Sequence, residues 1–308
     1  MEEISKIDAS ASVVMSVNNS LVCWGIEKYG NDDQKEGFLR PLASGQIHGG
    51  FCLSEPEAGS DATSQKTTAI DMGDHYLLNG TKNWITNGKT GTTFLVMAQT
   101  DIEKGHKGIN CLIVTSDMEG FTVGSKEDKL GIRGSDTHSI MFQDVKVPKA
   151  NRLGEEGFGF KFAMQVLSGG RIGIAAQALG IASGAYERSL QYSKERKAFG
   201  TEIMNHQANQ IELADMATPI EASRLLCPKA AALKDAGEDY SQASSMAKLY
   251  ASETAMWVAT EAVQIHGGYG FVKEYHVERM MRDAKITQIY EGTSEVQRIV
   301  IARSILKG

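Results

Sequence analysis

The chain has 308 residues, of which 42% are hydrophobic and 23% are charged, and its formal net charge at pH 7 is −6. Because this length exceeds one simple hydrophobic core, we expect two or three domains. The negative net charge, together with the absence of any block of like charges, argues against a nucleic-acid-binding protein, which would need a basic face. No apolar run approaches the roughly 18–20 residues of a membrane span, and the polar opening residues are unlike a signal peptide.

The cysteines and histidines show no metal-binding pattern. There is no CxxC pair, and the seven histidines are scattered along the chain. We therefore predict no metal site, and we expect four reduced, mostly buried thiols, at Cys23, Cys52, Cys111 and Cys227.

Residues 2–44 have the apolar periodicity of helices. Within them, Asn31–Arg40 is predicted to form a second, short helix, with Asn31 as its N-cap and Pro41 near its end.

Residues 45–150 are rich in β-branched and aromatic residues and are punctuated by Gly, Asn and Asp. The segments Tyr76–Asn79 and Asn83–Thr86 are interpreted as two strands with a turn at Gly80. Short strands separated by frequent turn residues predict an antiparallel sandwich or barrel and not a βαβ array. The other predicted strands are Thr92–Ala98, Ile109–Thr115, Ser139–Phe142 and Val145–Val147.

Residues 156–308 are predicted to be helical, and the second helix is expected to break or kink near Pro219 or Pro228. Small residues from Gly169 to Gly184 on the first helix indicate tight helix packing. The four predicted helices are Phe158–Lys194, Ile203–Lys234, Tyr240–His266 and Ser294–Leu306. The sequence thus predicts an α+β multidomain protein. We expect an N-terminal helical region (1–44), a middle antiparallel β-barrel or sandwich domain (45–152) and a C-terminal four-helix-bundle domain (153–308).

Four segments carry recognisable motifs, and none of them is a GxGxxG or Walker phosphate loop. They are Phe51–Asp61 (FCLSEPEAGSD), Trp84–Gly88 (WITNG), Glu195–Gly200 (ERKAFG) and Gln264–Arg303, which contains YEGTSE. Together, in this order, they resemble the motifs of the acyl-CoA dehydrogenase family. The YEGTSE run and the general character of the sequence are most similar to the short-chain, butyryl-type members. Family members begin with further helices, so the chain resembles an N-terminally truncated member.

The resemblance implies a flavoprotein that oxidises a short- to medium-chain acyl-CoA to the trans-2-enoyl-CoA in fatty acid β-oxidation. FAD would accept a hydride, and electrons would pass to an electron-transfer flavoprotein. Two alternatives stay open at this point. One is an acyl-CoA oxidase, and the other is a non-catalytic assembly or binding protein on the same fold. We expect a cytoplasmic location, or the mitochondrial matrix in a eukaryote.

Glu291 stands in a short connection before a helix, for which Ser294 is the expected N-cap and Gln297 completes a capping box. Gly292 would let a ligand approach the backbone closely. On spacing alone Glu291 reads as a solvated loop residue, whereas the resemblance implies that it is the base that removes the substrate α-proton. One branch of the family carries its base at the position of Gly170 here, and glycine cannot take a proton.

The resemblance also implies the remaining site residues. Ser60, Arg171 and Gly292 would contact the substrate. A homo-oligomer, a tetramer by resemblance, would place the cofactor's diphosphate end against a neighbouring subunit. On spacing alone, Trp84 reads as a core aromatic of a strand. The implied FAD-binding residues are Phe51, Leu53, Ser54, Gly59, Ser60, Trp84, Thr86, Arg196, Phe199, Gln207, Gln264, Ile265, His266, Gly267, Gly268, Thr293 and Glu295.

Overall fold

The computed structural model describes residues 1–307, which form two compact units. The sheet unit comprises Val14–Asp128 and Ser135–Gly170. The helical unit comprises Met1–Val13, Lys129–Gly134 and Arg171–Gly308, of which Gly308 lies outside the described residues. The predicted domain boundaries at residues 44 and 152 stay predictions.

The N-terminal residues are helical, as predicted. Asn31 caps its helix: Asn31 Oδ1 accepts from the Gln34 backbone N at 2.8 Å, and Gln34 Oε1 accepts from the Asn31 backbone N at 3.2 Å. Pro41 lies in the first turn of the helix that follows. The helices are α1 (Glu2–Ser5), α2 (Ala9–Ser16), α3 (Trp24–Tyr29), α4 (Asp32–Gln34) and α5 (Arg40–Ala43), with π-helical turns at Val17–Cys23 and Lys35–Leu39.

One helical run is more apolar than expected, since no run long enough to span a membrane was predicted. Ala9–Tyr29 is long and apolar enough, on length and composition alone, to cross a membrane. However, 61% of that window is buried inside the protein, and core helices of soluble proteins pass the same test.

Eight strands form the main sheet, in the order β6-β7-β3-β2-β4-β5-β8, with β1 paired to β4. Most pairs are antiparallel, but β1 and β2 both run parallel to β4, so the expectation of a purely antiparallel domain was wrong in this detail. Every residue of β4 is buried, which fits the apolar run Phe94–Ala98 at its centre. The strands are β1 (Gly49–Cys52), β2 (Thr68–Asp71), β3 (His75–Thr86), β4 (Thr93–Gln99), β5 (Ile109–Thr115), β6 (Phe121–Lys126), β7 (Thr137–Pro148) and β8 (Arg152–Leu153).

In two places, two strands that were predicted separately are parts of one long strand. Tyr76–Asn79 and Asn83–Thr86 both belong to β3, and Ser139–Phe142 and Val145–Val147 both belong to β7. The pairing of β3 with β7 shifts register twice, next to Gly80 and before Ile85, so the expected turn is a pair of bulges. Gly80 has φ +146°, and a Cβ there would lie 2.5 Å from Thr67 Oγ1, so a bulge requires glycine at this position.

The helical unit is built around α8, which packs against α7, α9 and α10. The short helix α9 was not predicted. The tight packing expected of the small residues is confirmed at Gly180, where a Cβ would lie 2.4 Å from the Glu2 carbonyl oxygen. The elements are α6 (Gly159–Glu195), the hairpin β9 (Lys197–Ala198) and β10 (Thr201–Glu202), α7 (Gln207–Asp235), α8 (Ser241–His266), α9 (Val277–Thr287) and α10 (Ser294–Lys307).

The expectation of a break near Pro219 or Pro228 was wrong, because α7 runs unbroken through both prolines, while a kink there stays a prediction. Each interior proline removes a helical hydrogen bond and costs about 3 kcal/mol. The buried face of α7, which includes Met216 and Ile220, packs against α8 and offsets that cost. The Ser223 hydroxyl also donates to the Pro219 carbonyl oxygen at 2.8 Å.

The four cysteines are unpaired, and all except the half-buried Cys23 are buried. Burial raises the pKa of the Cys52 thiol to about 12, which keeps it protonated and unreactive. Across residues 1–307, no group of three or more His, Cys, Asp or Glu side chains is placed to hold a metal ion.

Candidate active site

The loop that carries Glu291 joins α9 to α10 and has an unusual backbone. Glu291 has φ +53° and Gly292 has φ +93°, so two consecutive residues are left-handed. The predicted N-cap was wrong: Thr293 Oγ1 accepts from the Val296 backbone N at 3.3 Å, so Thr293 caps α10. Ser294 instead donates its hydroxyl hydrogen to Glu253 Oε1 at 2.7 Å.

Two side chains hold this loop from inside the helical unit. Gln297 Nε2 donates to the carbonyl oxygens of Glu291 at 3.3 Å and of Gly292 at 2.9 Å. Lys248 Nζ donates to the same Gly292 oxygen at 2.6 Å. A Cβ at position 292 would lie 2.7 Å from Gln297 Nε2. The close approach to the backbone that Gly292 permits is therefore made by the Gln297 side chain.

The carboxyl group of Glu291 is enclosed. The residue as a whole is only partly buried, but its Oε2 atom is buried and has no hydrogen-bond partner among the described residues. Burial raises the pKa of Glu291 to about 7, although the cations Lys248 and Arg171 both favour the ionised form. A carboxylate with such a pKa is a much stronger base than a solvated one, and it is still largely ionised at slightly alkaline pH.

Arg171, a predicted substrate contact, lies in the same unit and acts electrostatically on Glu291. It is buried, its Nη1 donates to Ser245 Oγ at 3.1 Å, and its Nε has no partner among residues 1–307. Burial lowers the pKa of its guanidinium group. Next to Glu291, the Tyr290 hydroxyl donates to Gln177 Oε1, and burial raises the pKa of Tyr290 well above its ordinary value.

The sheet unit brings together two of the segments that the resemblance assigns to the flavin. Ser54 and Thr86 are half-buried, and the Ser54 carbonyl oxygen accepts from the Asn83 backbone N at 2.9 Å. Trp84 is 57% exposed and has φ +57°, so it is not a core aromatic of the strand. Of the other predicted residues in these segments, Leu53 is buried, Phe51 is half-buried, and Gly59 and Ser60 are exposed.

A buried ion pair that was not predicted from the sequence links Glu55 of the first segment to Lys82 of β3, two residues before Trp84. Lys82 and Glu55 have side chains that are 0% and 5% exposed, and Lys82 Nζ lies 2.7 Å from Glu55 Oε1. Lys82 Nζ also donates to the Leu53 carbonyl oxygen at 3.1 Å, while Glu55 Oε1 accepts from the Thr67 backbone N at 3.0 Å. Burial raises the pKa of Glu55, but Lys82 and the hydrogen bonds outweigh burial, so the pKa is lowered overall.

The other predicted residues lie in the helical unit. Phe199, at the hairpin tip, has φ +54° and a side chain that is 97% exposed. The exposed Arg196 places its guanidinium group 5.4 Å from the centre of the Tyr269 ring. Gln207, Gln264, Gly267, Gly268 and Glu295 are exposed, Ile265 and Thr293 are half-buried, and His266 is buried with its ring stacked on Tyr192.

Strained backbone conformations coincide with the predicted site. Among residues 1–307, seven residues other than glycine have positive φ, and Trp84, Phe199 and Glu291 are three of them. Such conformations are retained when surrounding structure enforces them, and they cluster at functional sites. The exposed aromatic side chain of Trp84 lies in the sheet unit, whereas the exposed Phe199 and the unpaired, buried carboxyl group of Glu291 lie in the helical unit.

Comparisons with known proteins give the same assignment. Family models for the N-terminal, middle and C-terminal domains of acyl-CoA dehydrogenase match residues 1–46, 50–145 and 157–306. A short-chain specific acyl-CoA dehydrogenase of Clostridium acetobutylicum is 50% identical over 307 residues, which cover this whole chain and 81% of that protein. The chain belongs to the acyl-CoA dehydrogenase family.

Solved structures of acyl-CoA dehydrogenases and related chains superpose closely on this family member. Butyryl-CoA dehydrogenase from Megasphaera elsdenii matches with a TM-score of 0.98 and 50% identity, over 99% of this chain and 80% of that one. A chain from work on the electron transferring flavoprotein of Acidaminococcus fermentans matches with a TM-score of 0.99 and 52% identity, over 100% of this chain and 81% of that one. The acyl-CoA dehydrogenase fold expected from the four motifs is therefore confirmed.

Proposed function

We propose that this acyl-CoA dehydrogenase oxidises a short- to medium-chain acyl-CoA to the trans-2-enoyl-CoA, with Glu291 as the base. The observation that carries the proposal is the enclosed Glu291 carboxyl group, whose pKa burial raises to about 7 beside Lys248 and Arg171. Support for a short chain comes from the relatives, which include short-chain specific and butyryl-CoA enzymes.

The reaction removes two hydrogens from adjacent carbons of the acyl chain. The α-carbon gives a proton to the Glu291 carboxylate, the electron pair of that bond becomes the new double bond, and the β-carbon loses a hydride. FAD, when bound, supplies the hydride acceptor. The protein holds the carboxylate on a loop fixed by Lys248 and Gln297, so little reorganisation is needed when the proton moves.

The residues present fit FAD without a doubly wound domain. Trp84 would provide an aromatic wall for the flavin ring, and the hydroxyls of Ser54, Ser60 and Thr86 would provide hydrogen bonds. Arg196 would bind the diphosphate, because a guanidinium group matches phosphate oxygens bidentately. Because the ring of His266 is buried, the backbone of this residue would make the contact with FAD.

We infer a homo-oligomer, a tetramer by resemblance, with Arg196 and Phe199 serving the cofactor of a neighbouring subunit. An exposed phenylalanine in a left-handed conformation is costly in an isolated chain and is explained by such a partner. Light scattering of the flavin-loaded protein should report about four chains, and a flavin-bound monomer would contradict the assignment.

An electron-transfer flavoprotein then takes the electrons. We place the enzyme in the cytoplasm of a bacterial cell, or in the mitochondrial matrix in a eukaryote, which cell fractionation would test.

The substrate class is tested by anaerobic titration of the purified flavoprotein with acyl-CoAs of increasing length. Butyryl-CoA and its near neighbours should bleach the flavin absorbance most rapidly, and long chains should bleach it slowly. A preparation that binds FAD but is bleached by no acyl-CoA would contradict the proposal, and so would a clear preference for long chains.

Replacing Arg196 with Ala should weaken FAD retention by about 1.5–3 kcal/mol, the scale of a hydrogen bond to a charged group. FAD occupancy after dialysis measures the effect. As a matched control, Arg40→Ala removes an exposed arginine from α5 and should leave occupancy unchanged. Equal occupancy in the two variants would show that Arg196 does not hold the cofactor.

A further inference from the structure

Lys248 is a charged side chain enclosed in the helical unit. It lies on α8, its side chain is fully buried, and Ala247, Ala251 and Ser252 beside it are buried too. Its Nζ atom donates to the Gly292 carbonyl oxygen at 2.6 Å. A neutral carbonyl only partly compensates the loss of water around an ammonium group, so this charge is held in the core at a cost in stability.

The loop does not need a charge to hold it. Gln297 Nε2 donates to the same Gly292 oxygen at 2.9 Å and to the Glu291 oxygen at 3.3 Å, and it does so as a neutral amide. What Lys248 adds to this tether is a positive charge. The residue adjoining the tethered carbonyl is Glu291, whose Oε2 atom is buried without a partner among the described residues.

We propose that Lys248 is a positioning residue whose buried charge keeps the Glu291 carboxyl group in its ionised, proton-accepting form. This inference rests on the proposed role of Glu291 as the base. Burial alone favours the neutral acid, which cannot accept a proton from the substrate. A cation fixed behind the loop opposes that tendency while leaving the carboxyl group itself free of a direct hydrogen bond.

The surrounding charges set the direction of the effect. Burial raises the pKa of Glu291 to about 7, and both Lys248 and Arg171 act to lower it. Burial lowers the pKa of Lys248 to about 8; Glu291, Glu253 and Glu295 oppose this, and Arg171 adds to it. Removing Lys248 leaves only Arg171 to oppose burial, so the pKa of Glu291 must rise above about 7.

The consequence is a pH-dependent defect. Below the pKa, the ionised fraction of a base falls about tenfold for each pH unit. The rate of flavin reduction by substrate should therefore suffer most at acidic pH, and the defect should shrink as the pH rises and Glu291 ionises.

The test compares three variants of the FAD-loaded protein in single turnover with butyryl-CoA, from about pH 6 to about pH 9. Lys248→Met removes both donor and charge, whereas Lys248→Gln keeps a donor without the charge. Lys285→Met removes an exposed lysine from α9 as a control. In both Lys248 variants the acid limb of the rate profile should shift to higher pH by about one unit, and the control should follow the wild type.

Infrared titration of the substrate-free protein provides a readout that does not depend on activity. The band of the protonated Glu291 carboxyl group, assigned by its absence in Glu291→Gln, should titrate at higher pH in the Lys248 variants. If the folded Lys248→Gln protein keeps the wild-type rate limb and the wild-type carboxyl titration, Lys248 is only a structural tether and the inference is wrong. Lys248→Gln decides the question even if Lys248→Met does not fold.

A carboxyl titration that moves while the rate limb stays in place would have a different meaning. It would support the coupling of Lys248 to Glu291 and would contradict the role of Glu291 as the base.

Discussion

Glu291→Gln should lower the rate of flavin reduction by butyryl-CoA by at least ~10²-fold, the low end for loss of a positioned general base. Glutamine keeps the shape of the side chain but cannot accept the proton. The groups that interact electrostatically with its carboxyl group are poor substitutes: Lys248 and Arg171 are cations at neutral pH, and burial holds the pKa of Tyr290 well above its ordinary value. Stopped-flow measurement under anaerobic conditions gives the rate directly.

The controls for this variant must separate chemistry from binding. The FAD occupancy and acyl-CoA affinity of Glu291→Gln should stay close to wild type, because other residues make those contacts. Glu274→Gln, which removes an exposed carboxylate ahead of α9, should reduce its flavin at the normal rate. A Glu291→Gln protein that is equally fast would remove Glu291 from the mechanism.

Lys82→Met should lower the free energy of unfolding by about 3–5 kcal/mol, the cost of leaving one member of a buried ion pair uncompensated. Glu55 would keep its hydrogen bonds from the Lys66 and Thr67 backbone but lose its cation. The Leu53 carbonyl oxygen would also lose a donor in the segment assigned to the flavin. The shift in the urea midpoint, with its slope unchanged, measures the effect.

The matched control for this pair is an exposed one close by. Lys66 pairs with Glu57 at the surface, and solvent screens such pairs, so Lys66→Met should change the midpoint little. The double variant Glu55→Gln with Lys82→Met removes the uncompensated charge and should recover part of the lost stability. A Lys82→Met midpoint equal to that of Lys66→Met would contradict the structural role of the buried pair.

The sequence predicted elements well where local pattern decides structure. Ile109–Thr115 is a strand with the predicted bounds, because a short, mostly apolar run rich in β-branched residues and bounded by Gly108 and Ser116 favours a strand. Local pattern failed at Gly80, where a glycine within a long strand marks a bulge and not a turn. The expected break at Pro219 or Pro228 does not occur either, because packing of α7 against α8 outweighs the proline penalty.

The candidate site, too, was predictable only where a local motif defines it. Glu291 and the flavin segments could be proposed from motifs, but the residues that tune Glu291 could not, since they lie far away in sequence. Lys248 contacts a carbonyl 44 residues later, and Tyr290 contacts Gln177 across 113 residues. A signal for Lys248 did exist: a lysine on the small, buried face of α8, beside Ser244 and Ala251, is unusual and invites a question about its partner.

The central claim is that Glu291 removes the α-proton, and hydrogen exchange at the α-carbon tests it most directly. An acyl-CoA analogue with sulfur in place of the β-carbon has no hydride to lose there, so only the proton-transfer half of the reaction remains. In D₂O the wild-type protein should exchange the α-hydrogens of the bound analogue, and Glu291→Gln, loaded with the same FAD and analogue, should exchange them at least ~10²-fold more slowly. Exchange at the wild-type rate in the Gln variant would show that another group takes the proton and would contradict the mechanism.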